Sequence, residues 1–123
     1  MTTPQEPNKR PFDLEDRTTE FAKRTVRLCK ALPRSPVNDR LTGQLVGSAG
    51  SVGANYREAN DALGKKDFVH RLKIARKESK EAIHWFILIE EANSGFSTEI
   101  AYLRQEATEL KNILSAIIAK VAT

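Results

Sequence analysis

A chain of 123 residues suits one domain with one core. It holds no run of about 18 apolar residues that could span a membrane, and its N-terminus lacks the apolar centre of a secretion signal. Its single cysteine excludes an intrachain disulfide and fits a reducing cytoplasm, so a cytoplasmic protein is expected. The net charge of +4 is uneven: residues 9–34 carry eight Lys/Arg against four acids, residues 65–84 carry seven against three, and the rest is net acidic. Such regional basicity favours an anionic partner.

Residues 1–11 hold Pro4, Pro7 and Pro11 among polar residues and read as a flexible tail. Four apolar stripes follow, stepping alternately by three and four as one face of an α-helix does. The first is Leu14, Thr18, Phe21, Thr25, Leu28 and Leu32, with Asp13 as N-cap and Pro33 as its end. Cys29 sits among these apolar neighbours as a packed thiol. The second stripe is Leu41, Leu45, Ser48, Val52, Asn55, Ala59 and Ala62, closed by Gly64 as C-cap. The third is Phe68, Leu72, Ala75, Ser79, Ala82, Phe86 and Ile89. The fourth is Ile100, Leu103, Ala107, Leu110, Leu114, Ile117 and Val121, capped by Ser97 or Thr98. No segment alternates with period two, so no strand is expected. Breaks at Pro33–Pro36, Gly64–Lys66 and Asn93–Gly95 are short and force antiparallel neighbours. The expected fold is all-α: one up-down-up-down four-helix bundle over residues 12–123, with helices of roughly 20–28 residues.

The faces opposite these stripes bear on partners. The second helix carries Gly43, Gly47, Gly50 and Gly53, each costing about 1 kcal/mol relative to Ala in a helix interior. Gly43, Gly47, Gly50 and Ala54 step by four, three and four on the side away from the core, where Lys and Glu are usual. Bare backbone in a row lets another helix approach closely, which points to a subunit interface; the alternative is that the glycines only relieve crowding inside the bundle. On the third helix Lys66, His70, Lys73, Lys77, Lys80 and His84 form an outward stripe without a carboxylate, flanked by Arg71 and Arg76. Like charges one turn apart disfavour an isolated helix; either an ordinary solvated face, screened from the side by Asp67, Glu78 and Glu81, or a track of phosphate contacts accounts for them. Few aromatics accompany the stripe, so backbone or shape recognition is expected rather than base stacking. On the first helix Arg17, Arg24, Arg27 and Arg34 give a weaker signal, which ion pairs along an amphipathic helix also explain.

Catalytic and metal chemistry is not indicated. His70 and His84 lie fourteen residues apart, about 21 Å along a helix, too far to share a metal. Ala49–Gly53 (AGSVG) misses the first glycine and the strand of a nucleophile elbow. Gly64-Lys65-Lys66 lacks the rest of a P-loop. Glu90 and Glu91 are adjacent and splay apart on a helix. The chain is expected to be no enzyme and to need no cofactor.

Gln44, the run SVGANYREA at 51–59, Asp67-Phe68, Glu78, Glu81 and Trp85 resemble the signature of the bacterial four-helix bundle proteins encoded in 23S rRNA intervening sequences. The likeness spans roughly residues 12–121 and is most specific at Ser51, Asn55 and Glu58, a Ser-x-x-x-Asn-x-x-Glu pattern. That family is similar in fold to the accessory variability protein of diversity-generating retroelements. The resemblance implies an antiparallel bundle assembling as a ring-like homopentamer. Relatives in the retroelement group bind nucleic acid and engage a reverse transcriptase. Two departures stand out. Commoner members carry Glu-Gly where this chain has Glu58-Ala59, so no helix break is expected there. Relatives often carry acids near positions occupied here by Arg76, Lys77 and Lys80.

Ser51, Asn55 and Glu58 share one helix face, and Asn55 falls on the core stripe. A buried amide without partners costs roughly 1–3 kcal/mol, so a structural polar network that fixes helix register is expected. Its candidate members are Ser51, Asn55, Arg57, Glu58 and Glu81, with Glu81 as a partner of Asn55 and Arg57 pairing with a carboxylate. The expected function is a non-enzymatic homo-oligomer, a pentamer by resemblance, that contacts phosphates of structured RNA, or less readily DNA, through basic helix faces. The alternative is a structural adaptor that docks a protein such as a reverse transcriptase.

Overall fold

The computed structural model of the protein describes residues 13–122; the tail expected at 1–11 lies outside the described residues. Four helices follow one another: α1 (Leu14–Ala31), α2 (Pro36–Asn60), α3 (Lys65–Ala92) and α4 (Ser97–Ala122), with a 3₁₀ turn at Ser94–Phe96 between the last two. No strand occurs among the described residues, and no helix of theirs is long and apolar enough to cross a membrane. At 18 residues α1 is shorter than expected; the others have 25, 28 and 26.

Each helix packs on its chain neighbours, and α4 closes the ring onto α1. Side-chain pairs show the directions. Asn38 meets Asn93 while Asn55 meets Arg71, so α2 and α3 run antiparallel. Glu90 meets Arg104 while Arg76 meets Ser115, and Arg17 meets Glu106 while Arg24 meets Glu99. The bundle is therefore up-down-up-down.

The core is the four stripes, with local shifts. All six positions of the first stripe are buried, and Phe21 meets Phe86 edge-on at 6.2 Å between ring centres. Thr18, Thr25 and Ser79 are fully buried, and each hydroxyl donates to the carbonyl four residues back, at 2.7, 2.9 and 3.1 Å. Such back-bonding satisfies the hydroxyl inside its own helix. On α4 the stripe moves from Ile117 to Ile118, which is buried while Ile117 and Val121 are only half-buried. A straight helix drifts about 20° per heptad against a 3.5-residue repeat, enough to bring the next residue inward.

Helix ends differ from expectation at three places. Gly64 is the N-cap of α3, in extended backbone, and not the C-cap of α2, which ends at Asn60 with Asp61 as cap. Asp13 occupies the N-cap of α1, but its side chain makes no capping bond; its carbonyl accepts from the Arg17 N–H at 3.3 Å. Ser97 is already helical, and its hydroxyl donates to the Ser94 carbonyl at 2.8 Å. The strongest cap is Ser35, whose hydroxyl accepts from the Asn38 N–H at 3.0 Å ahead of Pro36.

Candidate nucleic-acid interface

The outward face of α3 is built by its own periodicity. Leu72, Ala75, Ser79, Ala82 and Phe86 turn inward, which leaves Lys66, His70, Lys73, Lys77, Lys80 and His84 exposed on the far side. Among the described residues none of Lys66, Lys73, Lys77 and Lys80 makes a hydrogen bond or close ion pair with a carboxylate, although the Lys77 charge is felt by neighbouring Glu78. Two open furrows follow this face. One, of about 530 Å³, is lined by Lys65, Lys66, Val69, His70 and Lys73. The other, of about 580 Å³, is lined by Lys73, Arg76, Lys77, Lys80, Glu81, His84 and Trp85. All these residues belong to α3, so the furrows are the surface of one exposed helix. The two flanking arginines turn partly aside and are half-buried. Arg71 Nη1 reaches Asn55 Oδ1 at 3.4 Å, and Arg76 Nη1 reaches Ser115 Oγ at 3.5 Å.

The arginines of α1 are placed differently. Arg17 donates two bonds to Glu106, at 2.8 and 2.9 Å, and a third to Glu109 at 2.8 Å. The Glu106 hydrogen bonds raise the Arg17 pKa against its partial burial. Arg24 grips Glu99 at 2.7 and 3.0 Å and lies 3.9 Å over the Tyr102 ring. This hydrogen-bonded pair holds the Glu99 carboxyl below the usual carboxylate range. Arg34 grips Asp39 across the α1–α2 turn at 2.7 and 3.1 Å, which lowers the Asp39 pKa. Arg27 meets Glu20 at 3.2 Å with both side chains well exposed, while Lys23 and Lys30 stay open to solvent. Arg17 and Arg24 thus tie α1 to α4, while Arg34 lies beyond the end of α1 and closes the α1–α2 turn.

On α2 the structure separates the glycines. Gly43, Gly47 and Gly50 are exposed, as is Ala54, and a Cβ at any of the three glycines would meet nothing within 4 Å. Gly53 is buried instead, and a Cβ there would lie 2.9 Å from Thr18 Oγ1 and 3.2 Å from Thr18 Cβ. That glycine lets α1 and α2 approach inside the bundle.

The polar cluster is smaller than expected. Asn55 is half-buried; its amide donates to the Ser51 carbonyl at 2.9 Å and accepts from Arg71. Glu81 is not its partner: the antiparallel register of α2 and α3 places Asn55 beside Arg71, sixteen residues on in the chain, and Glu81 faces the second furrow ten residues further along α3. Arg57 donates to Glu15 and Thr19 of α1, each at 3.0 Å, and Glu58 is exposed. The buried register pair lies elsewhere. Asn38 and Asn93 exchange amide hydrogen bonds at 2.8 and 2.9 Å, with further bonds to the Pro33 and Ile89 carbonyls. The two residues are 6% and 7% exposed and bolt the start of α2 to the end of α3. The only sequence sign is that both stand at helix breaks. Nothing in the spacing couples residues 55 positions apart.

Other candidate chemistry is dispersed. Among the described residues no three His, Cys, Asp or Glu side chains converge on a metal site. Glu90 pairs with Arg104 at 3.1 Å while Glu91 is exposed. Burial pushes the Cys29 thiol up to about 11, away from the reactive thiolate.

Fold and surface together define a four-helix bundle that leaves one basic helix face without internal partners. The chain belongs to the 23S rRNA-intervening sequence protein family, whose model matches residues 12–116. It is also similar to a crystallised protein of unknown function from Bacteroides thetaiotaomicron, of the S23 ribosomal protein family. The two share 33% identity with a TM-score of 0.75, over 85% of this chain and 97% of that one. No curated protein matches the chain.

Proposed function

We propose that this protein is a non-enzymatic, homo-oligomeric accessory protein that binds structured RNA through the phosphates, using the outward face of α3. One observation carries this reading: Lys66, Lys73, Lys77 and Lys80 are exposed in a row without carboxylate partners, in a bundle whose arginines are mostly ion-paired. The family's name, which refers to 23S rRNA, favours RNA over DNA. Binding through phosphates is salt-dependent, with log K falling by about 0.9 for each neutralised duplex phosphate per log unit of salt. Four open lysines therefore predict a slope of about −3 to −4 for a base-paired RNA. A salt series by fluorescence anisotropy checks this; weak binding with a flat salt dependence would refute it.

Assembly multiplies short tracks, because linked weak contacts raise avidity. The open row Gly43, Gly47, Gly50 and Ala54 is where a second copy would pack, in a ring such as the homopentamer the family resemblance implies. Gly47→Leu is expected to lower the solution mass measured by sedimentation. A wild-type monomer, or an unaltered assembly in the variant, would remove the interface from α2. The same open row favours a second reading, an adaptor whose α2 face docks a protein partner such as a reverse transcriptase. RNA affinity that is weak at every salt concentration would favour the adaptor.

A further inference from the structure

The outward face of α3 changes chemistry along its length. From Lys66 to Lys80 it is a cationic track; beyond Lys80 the lysines stop. Glu81, His84 and Trp85 complete the furrow, and Ile87 and Leu88 follow, 47% and 37% exposed. The His84 and Trp85 rings meet edge to face with centres 4.8 Å apart. Trp85 is half-buried and packed against the core, so the pair is anchored from one side while His84 stays exposed. Leu88 stands one helical turn beyond His84 on the same face. The lysines thus lead directly onto an aromatic and apolar step, and a carboxylate beside that step disfavours a further phosphate.

A surface of this kind suits a polyanion that also carries flat apolar groups at the spacing of its charges. We infer that the His84–Trp85–Leu88 step seats an unpaired nucleobase of a single-stranded RNA segment whose adjoining phosphates lie on Lys73, Lys77 and Lys80. The inference rests on the nucleic-acid reading of α3 and names the form of nucleic acid taken at its far end. It revises the expectation of phosphate recognition alone, since the sequence shows an aromatic pair but not that the two rings join the basic furrow. A stacked base is sequence-tolerant because every base offers a π-face. The step therefore selects unpaired over paired RNA without reading a particular sequence. In a duplex the bases are stacked on one another, and only the phosphates reach the helix.

The test uses the full chain with three probes: a short oligoadenylate, an RNA duplex of equal length, and inorganic tripolyphosphate. Trp85 is the single tryptophan, so its emission reports on the step directly. Oligoadenylate is expected to quench Trp85 while tripolyphosphate does not. The double variant His84→Ala, Leu88→Ser changes two exposed residues. It should weaken oligoadenylate binding roughly 5- to 150-fold, the range for one lost base–aromatic stack, and weaken duplex and tripolyphosphate binding far less than that. His84→Phe should retain oligoadenylate binding. If His84→Lys retains it and His84→Phe does not, the residue acts by charge and the stacking inference is wrong. Equal affinity for all three probes, unmoved by the double variant, also overturns it and leaves the phosphate track intact. No binding to any probe removes both readings. A lower solution mass in the double variant, with unchanged affinity for RNA, gives the step to a protein partner and overturns the inference.

Discussion

The two basic regions of this molecule have the same net charge and opposite arrangements. In and just after α1 most arginines are turned into neighbouring carboxylates: Arg17 to Glu106 and Glu109 and Arg24 to Glu99 within the helix, and Arg34 to Asp39 in the turn that follows it. In α3 the lysines project along one line with no carboxylate opposite them. The side-chain chemistry matches the difference. The planar guanidinium forks suit bidentate pairing inside a bundle, whereas ammonium groups on flexible stems act as mobile point charges. Net charge by segment therefore cannot separate charge used for folding from charge available to a partner. Only the opposing face, set by the neighbouring helix, does so.

Charge reversal provides the largest expected break in this contrast. Lys73→Glu, Lys77→Glu and Lys80→Glu together should abolish RNA binding at moderate salt and flatten the salt slope by about 2–3, while the bundle stays folded by circular dichroism. Arg17→Gln should do the reverse. It removes a three-bond contact to Glu106, whose side chain is 18% exposed, and to the more exposed Glu109. Charge-assisted hydrogen bonds contribute about 1.5–3 kcal/mol, reduced by the partial exposure of this site to about 1–2 kcal/mol. At about 4 °C per kcal/mol for a domain of this size, Tm should fall by about 4–8 °C, with RNA affinity unchanged. If Arg17→Gln weakens RNA binding as much as the triple reversal, α1 and α3 are one surface and the contrast fails.

Acid should separate the two regions more gently. Glu99 and Asp39 are held below the usual carboxylate range by the hydrogen bonds of Arg24 and Arg34; Glu109 is lowered by Gln105 and then Arg17. A carboxyl lowered in the folded state stabilises the fold above its unfolded pKa, and that stability is lost as pH falls through the folded value. Thermal melts should therefore lose stability as pH falls below the ordinary carboxylate range, near 4, and Arg24→Gln should flatten that loss. Glu78 has the opposite sign. Burial, and then the Glu81 charge, raise its pKa, so its ionised form costs stability at neutral pH. An acid limb that is equally steep in Arg24→Gln would show that the α1 pairs carry little of the linkage.

Much of this fold was legible because helix periodicity is a local property. The inward positions of α1 were all correct, and the outward α3 lysines followed from the same wheel. What escaped depends on two helices at once. Gly53 and Gly50 look alike in sequence, yet Thr18 lies against one and open space against the other. Asn55 was expected to meet Glu81, but antiparallel register places it beside Arg71, and the buried amide pair forms between Asn38 and Asn93. Gly64 follows a helix and precedes another, and spacing alone does not say which helix it caps. The aromatic step was missed for a similar reason. Spacing sets His84 in the charged row and Trp85 outside it, and only the surface shows them in one furrow.

The smallest effect sharpens the contrast most directly, because it asks whether α3 carries its lysines at a cost to the fold. Lys73 has Lys77 one turn ahead and Arg76 three residues ahead on the same helix, both like-charged. Lys73→Glu turns these repulsions into pairs with the acid on the favoured N-terminal side. With each interaction worth about 0.2–0.5 kcal/mol in either sense, and with Arg76 turned towards Ser115, reversal of the Lys77 pair alone should stabilise the fold by about 0.4–1 kcal/mol, or about 2–4 °C in Tm. The same substitution should weaken RNA binding. Salt supplies an independent check: screening relieves the α3 repulsion while it weakens the α1 pairs, so the stabilising effect of Lys73→Glu should shrink as ionic strength rises. A variant that melts lower than the wild type at every salt concentration would mean that Lys73 serves the fold, and that α3 resembles α1 after all.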